Sequence, residues 1–270
     1  MRTEAAGTAV HRVLARSVCR TRMTRKARDM ENLEPSGDGQ PAYGDLLRLR
    51  ELLDVACVHD ENVDQVLFLT THQVCELWFA VLLRHLDAAR AALGSGDGET
   101  AARRLEQLPS VIRVLIDQFD VLATLEPQAF EAIRVEMGDA SGFQSVQYRE
   151  LEFLCGQKDS RLLATKGFTE EDRARLRRRL EEPSMADTFA EFARDGAEEP
   201  ATPRRSPAVA ERVRRALLAL DEAVVIWRAR HAVLAERFLG GRPGTAGSAG
   251  ARYLWRVTER RLFPDVWPQS

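Results

Sequence analysis

The chain has 270 residues, 44% of them apolar, which is enough to fill the core of one large domain or two small ones. A formal net charge of −2 gives no electrostatic ground for binding nucleic acid or an anionic membrane surface. Cys19, Cys57, Cys75 and Cys155 form no Cys-x-x-Cys pair. That pattern excludes the common zinc spacings and fits free thiols in a reducing, cytoplasmic compartment.

Residues 1–41 differ from the rest. Arg2, Arg12, Arg16, Arg20, Arg22, Arg25, Lys26 and Arg28 make a basic, acid-poor start, a composition shared with organelle transit peptides. The expected organisation is a flexible basic tail ending in the linker Pro35–Pro41, then one all-helical domain over 42–270. No apolar core of a secretory signal is present, and no run is expected to span a bilayer.

Leu46, Leu47, Leu49, Leu53 and Val55 predict one amphipathic helix from Tyr43 to Val58. A long helix follows from Val63 to Leu93, stopped by Gly94-Ser-Gly-Asp-Gly98. Ala101–Leu122 is helical with a bend or break at Pro109. Pro127 opens a short helix to Met137, and a loop leads to another helix over Phe143–Cys155. Thr169 caps a charged helix to Glu182. A Pro-rich connector then precedes a long helix, Ala208–Leu239, and a last helix, Ala251–Leu262. No stretch reads as a strand, so the fold class is all-α, a helical bundle.

Two stripes carry chemistry. Phe68, His72, Cys75 and Phe79 fall at i, i+4, i+7 and i+11, on one helix face. Trp227, His231, Leu234 and Phe238 repeat that spacing on another helix. A histidine on an apolar face is commonly a satisfied core residue. Two of them on separate helices can instead face each other across a bound group, and haem suits an imidazole on each side. Arg134 ends a helix before a loop, where a guanidinium can grip a carboxylate or make a surface ion pair. Gly240–Gly250 lacks a P-loop lysine and follows a helix, so it reads as a mobile lid or a plain connector. His85 reads as exposed, and Trp78 and Trp255 as core.

Residues 43–267 resemble the tryptophan 2,3-dioxygenase family. The matching pieces are Tyr43-Gly-Asp45, Leu67-Phe68, Thr71-His-Gln73 and Glu76-Leu-Trp-Phe79, then Ser141-Gly-Phe-Gln-Ser145, Gln147-Tyr-Arg149 and Leu151-Glu152. Trp227-Arg228, His231, Gly244-Thr245, Gly247-Ser248, Tyr253-Leu254, Phe263-Pro264 and Trp267 complete the set in order. The resemblance implies a haem b enzyme, usually a homotetramer, that uses O2 to open the indole C2–C3 bond of L-tryptophan to N-formylkynurenine. It implies His231 as the proximal iron ligand, with Ser141 also at the cofactor. It implies His72 as the distal partner of the indole N–H and Arg134 as the partner of the substrate carboxylate. Thr245 would hold the amino acid's polar end, while Phe68 and Phe130 would pack on the indole. Tyr43, Leu46 and Leu47 would enter a neighbouring subunit's pocket.

The chain departs from the family pattern at Leu46, where bacterial relatives often carry tyrosine, and at Ala246, which replaces a lid glycine. Asp64-Gln65 stands for an Asp-Glu pair. The Leu46 and Ala246 changes motivate one alternative, a secondary-metabolism monooxygenase forming an oxindole from a substituted tryptophan; a separate alternative is a haem-binding bundle without turnover.

Overall fold

The computed structural model describes residues 42–56, 62–198, 206–244 and 249–268. Among them there is no strand, and the fold is all-α. The chain divides into two compact units, Met1–Val55 and Ala56–Ser270. The expected basic tail, Cys19, Cys57, His59 and the lid residues Thr245 and Ala246 lie outside the described residues.

In the first unit the single helix expected over Tyr43–Val58 is broken into α1 (Tyr43–Leu46) and α2 (Leu49–Ala56). Arg48 sits between them at φ 51, the left-handed region, which costs a non-glycine residue about 1–2 kcal/mol. Tyr43, Leu46, Leu47, Leu52, Leu53 and Val55 all leave their side chains exposed.

The second unit is built on two long helices. The helix α3 runs over Val63–Gly94, opened by the Asn62 side chain, which accepts from Gln65 N at 3.1 Å. The sequence's expected break near Pro109 appears as α4 (Gly98–Leu105) and α5 (Leu108–Leu122), with the proline in the first turn of α5, where it lacks only an N–H that would go unused. Helix α6 covers Pro127–Met137 and α7 covers Val146–Cys155. Thr169 and Asp172 cap α8 (Glu170–Glu181) reciprocally. Helix α10 spans Pro207–Leu239, and α11 is Ala251–Thr258, shorter than expected.

The sequence reading named no element over Met185–Glu198, which is helix α9. Its signal was present: Ser184-x-x-Asp187 is a capping box, with Ser184 Oγ donating to Asp187 at 2.7 Å and accepting from Asp187 N at 3.1 Å.

Both α3 and α10 pack against α4 and α5, and α3 also packs on α6, α7 and α9. Leu82, Leu86, Leu105, Leu108, Leu115, Val213 and Leu217 form the centre of the core. By length and apolarity α3 could cross a bilayer, contrary to the expectation that no run was long enough. The helices packed around it bury 28% of its apolar stretch. Cys155 is a buried free thiol and Cys75 a half-buried one. Burial pushes both thiols up, Cys75 to about 12, so neither is a nucleophile at neutral pH.

Two environments differ from expectation. Trp255, expected in the core, is 39% exposed, and its Nε1 donates to Glu236 at 3.1 Å. His85, expected to be exposed, is half-buried, and its Nδ1 is buried with no hydrogen-bond partner.

Candidate active site

A cavity of about 280 Å3 opens among α3, α5, α6, α7, α10 and α11. Both stripes read from the sequence line it: Phe68, His72, Cys75 and Phe79 from α3, and Trp227, His231, Leu234 and Phe238 from α10. Helical periodicity places each set on one face, and packing turns the faces toward the same space.

His72 rests against Phe68, with ring centroids 4.3 Å apart. Its Nδ1 lies 2.7 Å from the Phe68 carbonyl oxygen. A carbonyl can only accept, so neutral His72 carries its proton on Nδ1 and keeps a lone pair on Nε2. His72 retains accessible surface although protein surrounds it, because it lines the cavity. Desolvation is the main influence on the ring and lowers its pKa, against smaller opposing pulls from the Phe68 carbonyl and Glu76. The imidazole is therefore neutral at pH 7.

His231 has a different setting. It stacks on Phe119 at 5.4 Å with ring planes 9° apart, and Trp227 lies 6.0 Å away. Among the described residues no hydrogen bond reaches its ring. Burial, then His72, push its pKa down to about 4. One turn earlier, Trp227 Nε1 is buried without a partner. This wall thus holds a neutral imidazole with a free lone pair beside an unused N–H donor.

Phe130 packs between the two stripes, 6.3 Å from Phe68 and stacked on Phe238 at 4.4 Å. Arg134, one turn further along α6, also lines the cavity. It donates through Nη2 to the Pro243 carbonyl at 2.9 Å, and its Nη1 is 3.6 Å from Glu131. Ser141 lines the cavity and caps the 3-10 turn Gly142–Gln144, its Oγ accepting from Phe143 N at 3.2 Å. The structure therefore brings together His72, His231, Phe68, Phe130, Arg134 and Ser141. Thr245 is outside the described residues, and Tyr43, Leu46 and Leu47 belong to the other unit.

The sequence reading assigned no role to the charged knot in the cavity wall, which Tyr148, Arg149 and Arg228 line. Glu152 accepts from Arg149 at 2.5 Å and from Arg228 at 3.0 Å, and all three residues are buried. Arg228 also donates to Tyr148 Oη at 2.8 Å and to the Arg260 carbonyl at 2.6 Å. Burial pushes the Tyr148 phenol up to about 12, so it stays neutral. The Arg149–Glu152 i,i+3 spacing was visible, but the partnership with Arg228 crosses 76 positions and was not.

The tryptophan 2,3-dioxygenase family model matches residues 27–206. A tryptophan 2,3-dioxygenase of Nocardioides sp. is 40% identical over 249 residues, covering 84% of this chain and 93% of the relative. That of Anaeromyxobacter dehalogenans is 36% identical, covering 83% and 93%. That of Bordetella pertussis is 32% identical, covering 84% and 89%. With the two histidine stripes facing one cavity and an arginine beside them, this chain belongs to the tryptophan 2,3-dioxygenase family.

Proposed function

We propose that this protein is a haem-dependent enzyme that inserts O2 into the indole C2–C3 bond of L-tryptophan, giving N-formylkynurenine. The observation that carries the reading is the pairing of His72 and His231 on one cavity that also holds Arg134.

The residues fit a haem b. His231 would hold the haem iron, because it presents a neutral, unpaired imidazole in an aromatic wall. In the same wall the Trp227 Nε1–H is buried with no acceptor among the described residues. Among the described residues no three His, Cys, Asp or Glu side chains gather as a bare ion would need, whereas an iron held in a macrocycle needs only one. Ser141 stands at the same cavity and is assigned to the cofactor on the resemblance. When bound, haem supplies the binding and activation of O2.

The protein's own task is to hold the substrate. Arg134 offers a guanidinium to its carboxylate. Because Nδ1 is committed to the Phe68 carbonyl, His72 Nε2 can accept the indole N–H. One contact at each end of an amino acid fixes its orientation, and Phe68 and Phe130 supply flat apolar surface for the ring. A neutral His72 positions the indole and holds its proton rather than delivering one.

The exposed apolar side chains of Tyr43, Leu46 and Leu47 support the reading that this segment enters a neighbouring subunit in a homotetramer. Free Cys75 and Cys155 support a reducing, cytoplasmic setting.

The test is Arg134→Ala. Losing a charged clamp costs about 2 kcal/mol or more, so the tryptophan KM rises roughly 30-fold. An unchanged KM contradicts the assignment.

A further inference from the structure

The carboxylate clamp has a competitor built beside it. Glu131 precedes Arg134 by three residues on α6, so the two side chains share a helix face. At 3.6 Å they form only a long ion pair, beyond hydrogen-bond distance. Glu131 is engaged elsewhere: its Oε2 accepts from Arg242 Nη1 at 2.8 Å. Arg242 is in turn anchored by two carbonyls at the end of α10, donating to Phe238 at 3.0 Å and to Leu239 at 3.3 Å. Its backbone is fixed by close approach of Gly250, at φ +62, where a Cβ would fall 2.5 Å from the Arg242 carbonyl oxygen. The next carbonyl, that of Pro243, holds Arg134 itself.

We infer that Arg242 is a positioning residue that weakens the hold of Glu131 on Arg134, leaving the Arg134 Nη1 able to donate to a substrate carboxylate. The inference rests on the proposed role of Arg134 as the carboxylate clamp. Among the described residues Glu131 pairs with Arg134 and Arg242, so without Arg242 the i,i+3 pair closes. The substrate carboxylate must then displace an internal carboxylate. All three side chains keep some solvent contact, 21% for Arg134, 42% for Glu131 and 49% for Arg242, so the effect is screened and modest.

The experiment is calorimetric titration of the haem-loaded protein with L-tryptophan and with tryptamine, which lacks the carboxylate. Arg242→Gln weakens tryptophan binding about two- to fivefold, the range of a screened ion pair, and leaves tryptamine unchanged. Arg242→Lys keeps the charge and stays near wild type. Adding Glu131→Gln to Arg242→Gln restores tryptophan affinity, because the competitor is gone. Glu131→Gln alone binds at least as tightly as wild type, which tests the inference even if Arg242→Gln fails to fold. A double variant as weak as Arg242→Gln, or equal loss for tryptamine, overturns the inference and makes Arg242 a mere cap of α10. If Arg134→Ala weakens tryptophan while Arg242→Gln does not, the inference fails and the clamp stands. If Arg134→Ala leaves tryptophan binding intact, the clamp fails and the inference with it.

Discussion

Trp227 and Arg228 are neighbours on α10, both buried, and they live by opposite rules. Arg228 is saturated: Tyr148, Glu152 and the Arg260 carbonyl all accept from it. Trp227 leaves its indole N–H without a partner, and His231, one turn on, makes no hydrogen bond among the described residues. A buried polar group left unpaired costs about 1–3 kcal/mol, so a fold retains one only where something else repays it. The saturated knot also lines the cavity, through Tyr148, Arg149 and Arg228, but its charges are already paired inside the protein. The unpaired wall is where we propose that the cofactor binds, and the cavity lies along it.

That contrast can be broken from either side. The largest expected effect is on the unpaired wall: His231→Ala abolishes the haem Soret band of a normal axially ligated complex, and soluble imidazole restores it. A retained normal spectrum removes His231 from the proximal role. On the saturated side, Glu152→Ala strands two buried guanidiniums, Arg149 and Arg228. Leaving buried charge unpaired costs about 3–5 kcal/mol, to be seen as a fall in urea midpoint. A loss under about 1 kcal/mol would mean the knot is dispensable.

A smaller effect separates the regions by pH. The folded, haem-free protein holds His231 at a pKa of about 4, while the unfolded chain titrates near the ordinary histidine value of about 6.5. Between those values the unfolded state binds the extra proton, so stability is full above pH 6.5 and is lost as pH falls toward 4. The shift corresponds to about 3 kcal/mol. Urea unfolding of the haem-free protein at pH 7 and pH 4.5 should show this slope, and His231→Leu should remove most of it. A slope unchanged in His231→Leu would place its origin elsewhere.

The helical stripes were legible because a period of 3.6 writes a buried face directly into the sequence, and His72 and His231 sit where it put them. Arg134 and Ser141 became legible as a set only through resemblance, since each alone reads as a helix-end charge or a cap. Other features needed the fold. Nothing in Leu47-Arg48-Leu49 announces a break, for Arg48 is neither glycine nor proline. The exposure of Trp255 and the burial of His85 depend on what packs against their faces. The Arg149–Glu152–Arg228 knot joins helices distant in sequence, and so does Glu131–Arg242, across 111 positions. Spacing rules do not reach that far.

The most direct measurement is product mass from the ferrous, haem-loaded protein given L-tryptophan under 18O-labelled O2. The account predicts N-formylkynurenine carrying two labelled oxygen atoms. A product carrying one, with an oxindole mass, would contradict it and turn attention to Leu46 and Ala246 as the residues that redirect the oxygen.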